Sequence, residues 1–258
     1  MSDLKQRVIT GIIGLILLFS IIYLGGLYLK VAIFIISVIG VLEFSKALKN
    51  INLNINLFSI LIGIILLLVF NLYNISSDFS IIIVLMISLL FMLFTNSYDF
   101  SSTAATILTY IYIPYTFNLL NIFSKTPYLL LVFIIAFATD TFAYFIGSMF
   151  GKHKLIEKVS PNKSVEGAIG GTLVAVLLTL IYFWYVKIPI TVLSILLVFI
   201  ASIAGQIGDL TASKVKRITG IKDYGKLLPG HGGILDRFDS TILVIPFVYI
   251  LYFFINLY

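Results

Sequence analysis

The 258-residue chain contains no cysteine, and only 11% of its residues are charged. The first absence excludes disulfides and every metal site that needs thiolate ligands. The second excludes an ordinary soluble domain, in which about a quarter of the residues are charged. With 60% hydrophobic residues and a mean hydropathy of +1.14, the composition predicts an integral membrane protein. The formal charge of +6 is therefore not interpreted as a sign of nucleic-acid binding, and we expect no nucleic-acid partner.

Nine apolar segments have the length of about 20 residues that a helix needs to cross the hydrocarbon core. They cover residues 8–26, 29–48, 55–73, 79–95, 103–123, 127–149, 167–186, 189–210 and 234–258. These runs are continuous and lack the strict alternation of barrel strands, so each is predicted to be a helix that pairs its own backbone groups. The predicted fold is all-α, a polytopic bundle of nine transmembrane helices. The first segment exceeds the length of a signal-peptide core, and we expect it to be retained.

The distribution of lysine and arginine predicts the orientation of these helices. With a cytoplasmic N-terminus, 13 of the 17 cations lie on the cytoplasmic side. Both long connections, residues 150–166 and 211–233, also fall on that side. We therefore expect a multi-pass protein of the cell membrane, with its site on the cytoplasmic face. Residues 1–125 are interpreted as a scaffold with a lipid groove or oligomer contacts, and residues 126–258 as the catalytic region.

Two acidic residues lie within apolar segments. Glu43 is predicted to be structural, with its charge neutralised by Lys46 one turn further on. Asp140 shares one helix face with Tyr144 and Gly147, at the spacing i, i+4 and i+7. An ionised carboxylate at a helix centre costs about 2.5–3.5 kcal/mol on insertion scales, so Asp140 must face the interior of the bundle. Both a structural hydrogen-bonded role and a functional role remain open for it.

The first long loop leads into a helix through the stretch SPNKSVEGAIGG. Ser164, followed by Gly167 and Gly170, gives a helix start whose free backbone N–H groups suit a phosphate. Lys163 is expected beside that position. The alternative is that the lysines of this loop only set the orientation in the membrane, since a cytoplasmic loop is normally rich in lysine.

Acidic residues also mark the cytoplasmic ends of the last two segments. Asp209 ends the eighth segment, and Asp236 and Asp239 open the ninth segment on a shared helix face. The connection returns the chain to the same membrane surface, so Asp209 and Asp236 are predicted to meet. Hard carboxylate oxygens of this kind suit Mg²⁺. The alternative is an ion pair of Asp236 or Asp239 with an arginine, which would only hold the helix end.

Small residues precede Asp209 in the eighth segment. Ser202, Gly205 and Gly208 are predicted to let neighbouring helix backbones approach closely.

The second long loop is rich in cations and glycines. Its candidate phosphate ligands, together with one at the start of the last segment, are Lys214, Lys216, Arg217, Lys222, Lys226, His231 and Arg237. Its glycines, which permit positive φ and close backbone approach, are Gly220, Gly225, Gly230, Gly232 and Gly233. Acids, cations and glycines on one membrane face predict a substrate that is anionic, bound to metal and presented at the bilayer surface.

Residues 213–239, SKVKRITGIKDYGKLLPGHGGILDRFD, resemble the signature of the phosphatidate cytidylyltransferase family, also called CDP-diacylglycerol synthases. The matching positions are Ser213, Lys216, Arg217, Lys222, Asp223, Gly225, Pro229, His231, Gly232, Gly233, Asp236, Arg237 and Asp239. The stretches SPNKSVEGAIGG and DTFAYFIG are similar to two further conserved stretches of the family. Ser164 stands where threonine is commoner.

The resemblance implies that the chain transfers CMP from CTP to phosphatidic acid, giving CDP-diacylglycerol and pyrophosphate for phospholipid synthesis. It implies Mg²⁺, with a second metal ion as a further candidate, and the lipid bilayer and a homodimer as partners. Asp209 and Asp236 are implied to hold the metal, with Asp140 as a third candidate. The catalytic set adds Lys163, Lys222 and Arg237. The implied substrate-binding residues are Ser164, Lys216, Arg217, Asp223, His231, Gly232, Gly233 and Asp239.

Two other functions remain open at this point. A sister enzyme would use CTP on another lipid phosphate, such as an archaeal-type ether lipid, or would be a related polyprenol kinase. An ion-coupled transporter would use Asp140, Asp209 and Asp236 as an ion path. A transporter of that kind is expected to spread its acids along several helices, whereas here they gather at one membrane face.

Overall fold

The computed structural model describes residues 2–256, which are nearly all helical. Its helices are α1 (Ser2–Leu24), α2 (Gly26–Lys49), α3 (Leu57–Tyr73), α4 (Phe79–Phe94), α5 (Phe100–Tyr110), α6 (Thr116–Asn118), α7 (Pro127–Phe150), α8 (Val165–Val186), α9 (Val192–Ile218) and α10 (Leu235–Asn256). A helix runs through most of each predicted apolar segment. The ninth predicted segment extended to residue 258, and residues 257–258 lie outside the described residues.

Five of the described helices are long and apolar enough to cross a membrane, by length and composition. They are α2, α7, α8, α9 and α10. Shorter apolar helices cover Val8–Leu24, Leu57–Tyr73 and Phe79–Phe94. The predicted class, a nearly all-α chain with several helices able to cross a membrane, is therefore confirmed, whereas nine crossings stay a prediction.

The ends of these helices follow from local residue types. The side chain of Asn56 caps α3 by accepting a hydrogen bond from the backbone N–H of Ser59, and Asn74 ends that helix in the left-handed conformation. Asp99 caps α5 through the N–H of Ser102, at 2.8 Å, and this bond, together with that from the Ser101 hydroxyl, lowers the pKa of Asp99 to about 2. Gly25 separates α1 from α2 with a φ of +56°, which a residue with a side chain rarely adopts.

The fifth predicted segment is not one regular helix. After α5, the chain forms a π-helical turn at Ile111–Tyr115, the single turn α6 and a 3₁₀ turn at Leu119–Phe123. Pro114 lies inside the π-helical turn. Proline has no N–H to donate and its ring crowds the preceding turn, so the regular α-helical pattern breaks at this point.

The loop between α7 and α8 contains a short antiparallel hairpin of β1 (Lys154–Ile156) and β2 (Ser160–Ser164), with Lys154 opposite Ser164. The prediction of a purely α-helical chain missed it. Strands of three and five residues are too short for an alternating pattern to stand out, and Pro161 within β2 argued against a strand, because it cannot donate to a sheet ladder.

The described residues fall into two compact units that are not contiguous in sequence. The first unit contains the residues up to Lys125 together with Ile218–Arg237, and its core includes Tyr110, Phe117 and Phe123, all fully buried. The second unit contains Thr126–Arg217 together with the residues from Phe238 onward. Most of the second long loop therefore packs with the N-terminal helices.

Glycines bring the helices of the second unit close together. A Cβ atom added at Gly171 of α8 would lie 2.7 Å from the backbone oxygen of Thr139 on α7. A Cβ atom at Gly208 of α9 would lie 2.5 Å from the backbone oxygen of Asp239 on α10, and one at Gly205 would lie 2.9 Å from the side chain of Val244. The prediction of close approach at Gly205 and Gly208 is confirmed.

Candidate active site

A cavity of about 220 Å³ opens in the second unit where α7, β2, α8 and α9 meet. Its lining residues are Asp140, Ala143, Tyr144, Asn162, Lys163, Ser164, Ala168, Gln206 and Asp209. Four predicted site residues, Asp140, Lys163, Ser164 and Asp209, are thus brought together from three separate parts of the sequence. The cavity combines two acids, one cation and two amides beside apolar helices.

An ion pair between Lys163 and Asp209 crosses this cavity. The ammonium group of Lys163, on β2, donates to Oδ2 of Asp209, on α9. The other carboxylate oxygen, Oδ1, accepts a hydrogen bond from the hydroxyl of Ser213 at 3.3 Å. The side chains of Lys163 and Asp209 are 28% and 24% exposed, respectively, so both charged groups remain accessible to a ligand in the cavity.

Two further carboxylates lie near Asp209 in the second unit. Oδ2 of Asp140 accepts a hydrogen bond of 2.7 Å from the hydroxyl of Ser240 on α10. The carboxylate of Asp239 lies within electrostatic range of Asp140, Asp209 and Lys216. Asp239, which the sequence linked to substrate only through the resemblance, is therefore part of a cluster of three acids.

A ladder of polar side chains continues from the cavity between α7, α8 and α9. The Gln206 amide donates to the Thr172 hydroxyl at 2.8 Å and to the Ala168 carbonyl at 3.2 Å. Ser202 donates to Thr172 at 3.3 Å, and its hydroxyl lies 2.7 Å from that of Thr139. These bonds fix the helices that carry Asp140 and Asp209.

The sequence interpretation did not identify Gln206, Thr172 or Thr139. The sequence did contain a signal for Gln206: Ser202, Gln206 and Asp209 recur at i, i+4 and i+7 along an otherwise apolar helix.

The start of α8 is already capped by protein groups. The Ser164 hydroxyl accepts from the N–H of Gly167 at 3.1 Å. The Glu166 carboxylate accepts from the N–H groups of Lys152 and His153 and lies 2.6 Å from Nδ1 of His153. Ser164 therefore serves as a helix cap as well as lining the cavity.

A second polar centre lies in the first unit, around Asp236 at the start of α10. Oδ2 of Asp236, which is 7% exposed, accepts from the N–H groups of Tyr224 at 2.8 Å and Gly233 at 2.9 Å. Glu43, from α2, is 6% exposed and accepts from the N–H groups of Ile234 and Leu235, both at 3.0 Å. Lys46, which is exposed, interacts electrostatically with Glu43 as expected, whereas the hydrogen bonds to the Glu43 carboxylate come from backbone N–H groups that the sequence interpretation did not foresee.

The remaining predicted residues lie on the same loop or at the end of α9. Lys222, Asp223 and Arg237 are exposed in the first unit, and Arg217 is exposed in the second. Within the loop, His231 and Gly232 form a tight turn through two backbone hydrogen bonds with Leu228, and Gly232 has a φ of +83°. His231 is half-buried, and the exposed cations are accessible to an anionic ligand.

The acids of the second unit offer carboxylate oxygens that could bind a metal ion. Within residues 2–256, no three Asp, Glu, His or Cys side chains converge closely enough to hold an ion by themselves. Mg²⁺ typically uses only one or two protein carboxylates and completes its shell with waters and substrate phosphates. The hard oxygens of Asp140, Asp209 and Asp239 fit that requirement.

Comparisons with known proteins agree with this chemistry. The model of the Cytidylyltransferase family matches residues 5–255. The phosphatidate cytidylyltransferase of Bacillus subtilis (strain 168) is 34% identical over 270 residues, which cover 97% of this chain and 98% of that protein. The phosphatidate cytidylyltransferases of Staphylococcus epidermidis (strain ATCC 12228 / FDA PCI 1200) and Staphylococcus aureus (strain COL) are 49% and 48% identical over 125 residues, about half of each chain. The chain belongs to the cytidylyltransferase family.

Proposed function

We propose that this chain is a phosphatidate cytidylyltransferase, which transfers CMP from CTP to phosphatidic acid and releases pyrophosphate. The observation that carries the proposal is the family match over residues 5–255, together with a full-length relative of that name. The cavity around Lys163 and Asp209 supports it, because an accessible cation and acids beside apolar helices suit a phosphorylated lipid and a nucleotide.

The reaction forms one phosphorus–oxygen bond and breaks another. An oxygen of the lipid phosphate attacks the α-phosphorus of CTP, and the bond to the β-phosphate breaks as pyrophosphate leaves. A phosphate monoester is already ionised at neutral pH, so the protein needs no strong general base. Catalysis then consists mainly of alignment and of stabilising negative charge on the phosphate oxygens.

The residues of the cavity and the other predicted site residues would divide this work. Lys163 would bind a phosphate group, exchanging part of its ion pair with Asp209 for the ligand. The ladder from Gln206 to Thr139 holds Asp209 and Asp140 in place. Lys216, Arg217, Lys222 and Arg237 would bind further phosphate oxygens, and Ser164, Asp223, His231, Gly232, Gly233 and Asp239 would shape the substrate sites.

Mg²⁺ is the cofactor that we assign to this chemistry. Asp209 and Asp236 would be its ligands, with Asp140 as a further candidate and with a second ion as in other phosphoryl-type reactions. When bound, it supplies neutralisation of the phosphate oxygens. The sharing of one ion by Asp209 and Asp236 stays a prediction from the sequence.

We assign the protein to the cell membrane with nine crossings, a cytoplasmic N-terminus and a cytoplasmic site, and we keep a homodimer as the expected assembly. The lack of native cysteine makes the orientation directly testable. In intact cells, Ser76→Cys should react with an impermeant maleimide, whereas Lys158→Cys should react only after the membrane is opened. The reverse pattern would invert the proposed orientation.

The function is tested with purified protein, radiolabelled CTP and three acceptors compared side by side: phosphatidate, unsaturated archaetidic acid and a polyprenol. We expect a magnesium-dependent CDP-lipid from phosphatidate. A product only from archaetidic acid would reassign the lipid, and transfer of the terminal phosphate of CTP to polyprenol would indicate a kinase. No product from any acceptor would remove the proposed function.

A further inference from the structure

Glu43 lies on a helix face of α2 that supports the loop before α10. In the first unit, three residues at i, i+3 and i+4 contact that loop or the start of α10. A Cβ atom added at Gly40 would lie 3.1 Å from the side chain of Leu235. Glu43 accepts its two backbone hydrogen bonds, and the ring of Phe44 lies 5.9 Å from that of Tyr224, centroid to centroid.

The Glu43 carboxylate satisfies the helix start from a distant part of the sequence. The first N–H groups of a helix have no partner within it. Here Oε1 and Oε2 of Glu43 each take one of them, from Ile234 and Leu235. A negative charge at the N-terminus also interacts favourably with the helix dipole. Glu43 therefore acts as the cap of α10.

The neighbouring acid completes a clamp of four backbone hydrogen bonds. Asp236 accepts from Tyr224 and Gly233, and Glu43 accepts from Ile234 and Leu235. The two carboxylates interact electrostatically. Because like charges repel, the four N–H donors stabilise this buried arrangement, and they tie the loop backbone to the orientation of Asp236.

Two glycines of the loop are required by the position of Glu43. A Cβ atom at Gly233 would lie 2.4 Å from Oε1 of Glu43, and one at Gly225 would lie 2.3 Å from the same oxygen. The sequence interpretation assigned these glycines to close approach of a polyphosphate. That role stays a prediction, and the contacts show in addition that the absence of a side chain at both positions makes room for the Glu43 carboxylate.

We propose that Glu43 is a positioning residue for the reaction, which orients Asp236 by capping α10 and by holding the loop backbone at Tyr224–Leu235. The proposal rests on the proposed function and on the role predicted for Asp236 in binding Mg²⁺. Glu43 itself touches neither substrate nor metal. It acts through the backbone that carries Asp236.

The main test compares Glu43→Gln with the wild-type protein in two measurements. Glutamine keeps the shape but places an amide donor against a backbone N–H, so one of the two bonds is lost. We expect a 10- to 100-fold lower kcat at saturating CTP and a severalfold higher Mg²⁺ concentration for half-maximal rate. Hydrogen exchange of the amides of Tyr224, Gly233, Ile234 and Leu235 should become faster.

Lys46→Gln is the matched control, because Lys46 is the exposed charge one turn from Glu43. Its rate, Mg²⁺ requirement and amide exchange should stay within about twofold of the wild type. An equal loss in Lys46→Gln would show that a simple ion pair, and not the cap, accounts for Glu43, and would overturn the proposal.

A double substitution tests the contact with glycine. Gly233→Ala should lose activity in the wild-type background because its methyl group meets the Glu43 carboxylate. In the Glu43→Ala background the same methyl group has room, so its additional effect should be less than half as large, counted in log units. Equal effects in both backgrounds would show that the two residues are not coupled and would contradict the proposal.

The outcomes separate this inference from the proposed function. Faster amide exchange together with a raised Mg²⁺ requirement supports the positioning role. Faster exchange with unchanged kcat and Mg²⁺ dependence reduces Glu43 to a folding residue, and unchanged exchange removes the clamp; either result overturns the proposal. A wild-type protein that makes no CDP-lipid would remove the proposed function, and the role of Glu43 in catalysis with it. The exchange rates would then decide only whether the clamp exists.

Discussion

The acids of the two units differ in what they bind. In the first unit, Glu43 and Asp236 are almost fully buried and accept hydrogen bonds from the backbone. In the second unit, Asp140 and Asp209 are partly exposed at a cavity and accept hydrogen bonds from side chains. Backbone donors are fixed by the fold, whereas side-chain partners can exchange for a ligand. Burial and donor type, and not residue type, thus distinguish carboxylates that hold a loop backbone from carboxylates that line an accessible cavity.

The largest effect is expected at Asp209, one of the two acids that line the cavity of the second unit. Asp209→Asn should lower kcat by about 10²–10³-fold, because a carboxylate that stabilises the reacting phosphates is lost. Its thermal unfolding temperature in detergent should stay close to that of the wild type. Glu166→Gln, an acid of the same unit outside the cavity, serves as the control, and equal activities of the two variants would remove Asp209 from the site.

Asp236→Asn separates metal binding from loop organisation, because asparagine keeps an oxygen that can accept hydrogen bonds from Tyr224 and Gly233. If Asp236 also binds metal, activity should fall by about 10²-fold while the unfolding temperature hardly changes. Asp236→Ala should in addition destabilise the protein by about 1–3 kcal/mol, because two buried N–H groups lose their acceptor. An Asn variant with full activity would show that Asp236 only organises the loop.

Lys163→Met tests whether the side-chain partners of the second unit exchange for a ligand. Loss of the ammonium should raise KM for CTP about 10- to 100-fold, since one charge-assisted bond to a phosphate contributes about 1.5–3 kcal/mol. Lys163→Arg should recover part of the affinity because it keeps the charge. Steady-state kinetics over a range of CTP concentrations provide the measurement, and an unchanged KM would confine Lys163 to its ion pair with Asp209.

The smallest effect concerns the helix packing that carries the acids of the second unit. Gly208→Ala places a methyl group against the backbone oxygen of Asp239 and should destabilise the protein by about 1–3 kcal/mol. Gly14→Ala on α1 is the matched control, since no atom lies within 4 Å of its Cβ position. It should be neutral or stabilising by up to about 1 kcal/mol. A lower unfolding temperature for Gly14→Ala than for Gly208→Ala would contradict this account.

The sequence predicted the helices well, because long apolar runs bounded by Gly, Asn and Pro leave few alternatives in a membrane. It also placed Asp140, Lys163 and Asp209 among the candidates, since charged residues within or beside such runs are costly and few. It could not predict the partner of Glu43, because the contact with Ile234 joins residues 191 positions apart and helical spacing reports only near neighbours. The sequence also did not predict the hairpin at Lys154–Ser164 or the polar ladder at Thr172. Each depends on pairing between segments, which local periodicity does not encode.

The cap that Glu43 provides for α10 has a consequence for biosynthesis. Glu43 is made early, whereas Ile234 and Leu235 are made after α9 and the second long loop. Until then its carboxylate lacks these donors, and a carboxylate without its hydrogen-bond partners is unfavourable beside the apolar part of a helix. We therefore expect a nascent chain arrested before residue 234 to hold α2 loosely in the bilayer, and synthesis of the last helix to complete the N-terminal unit.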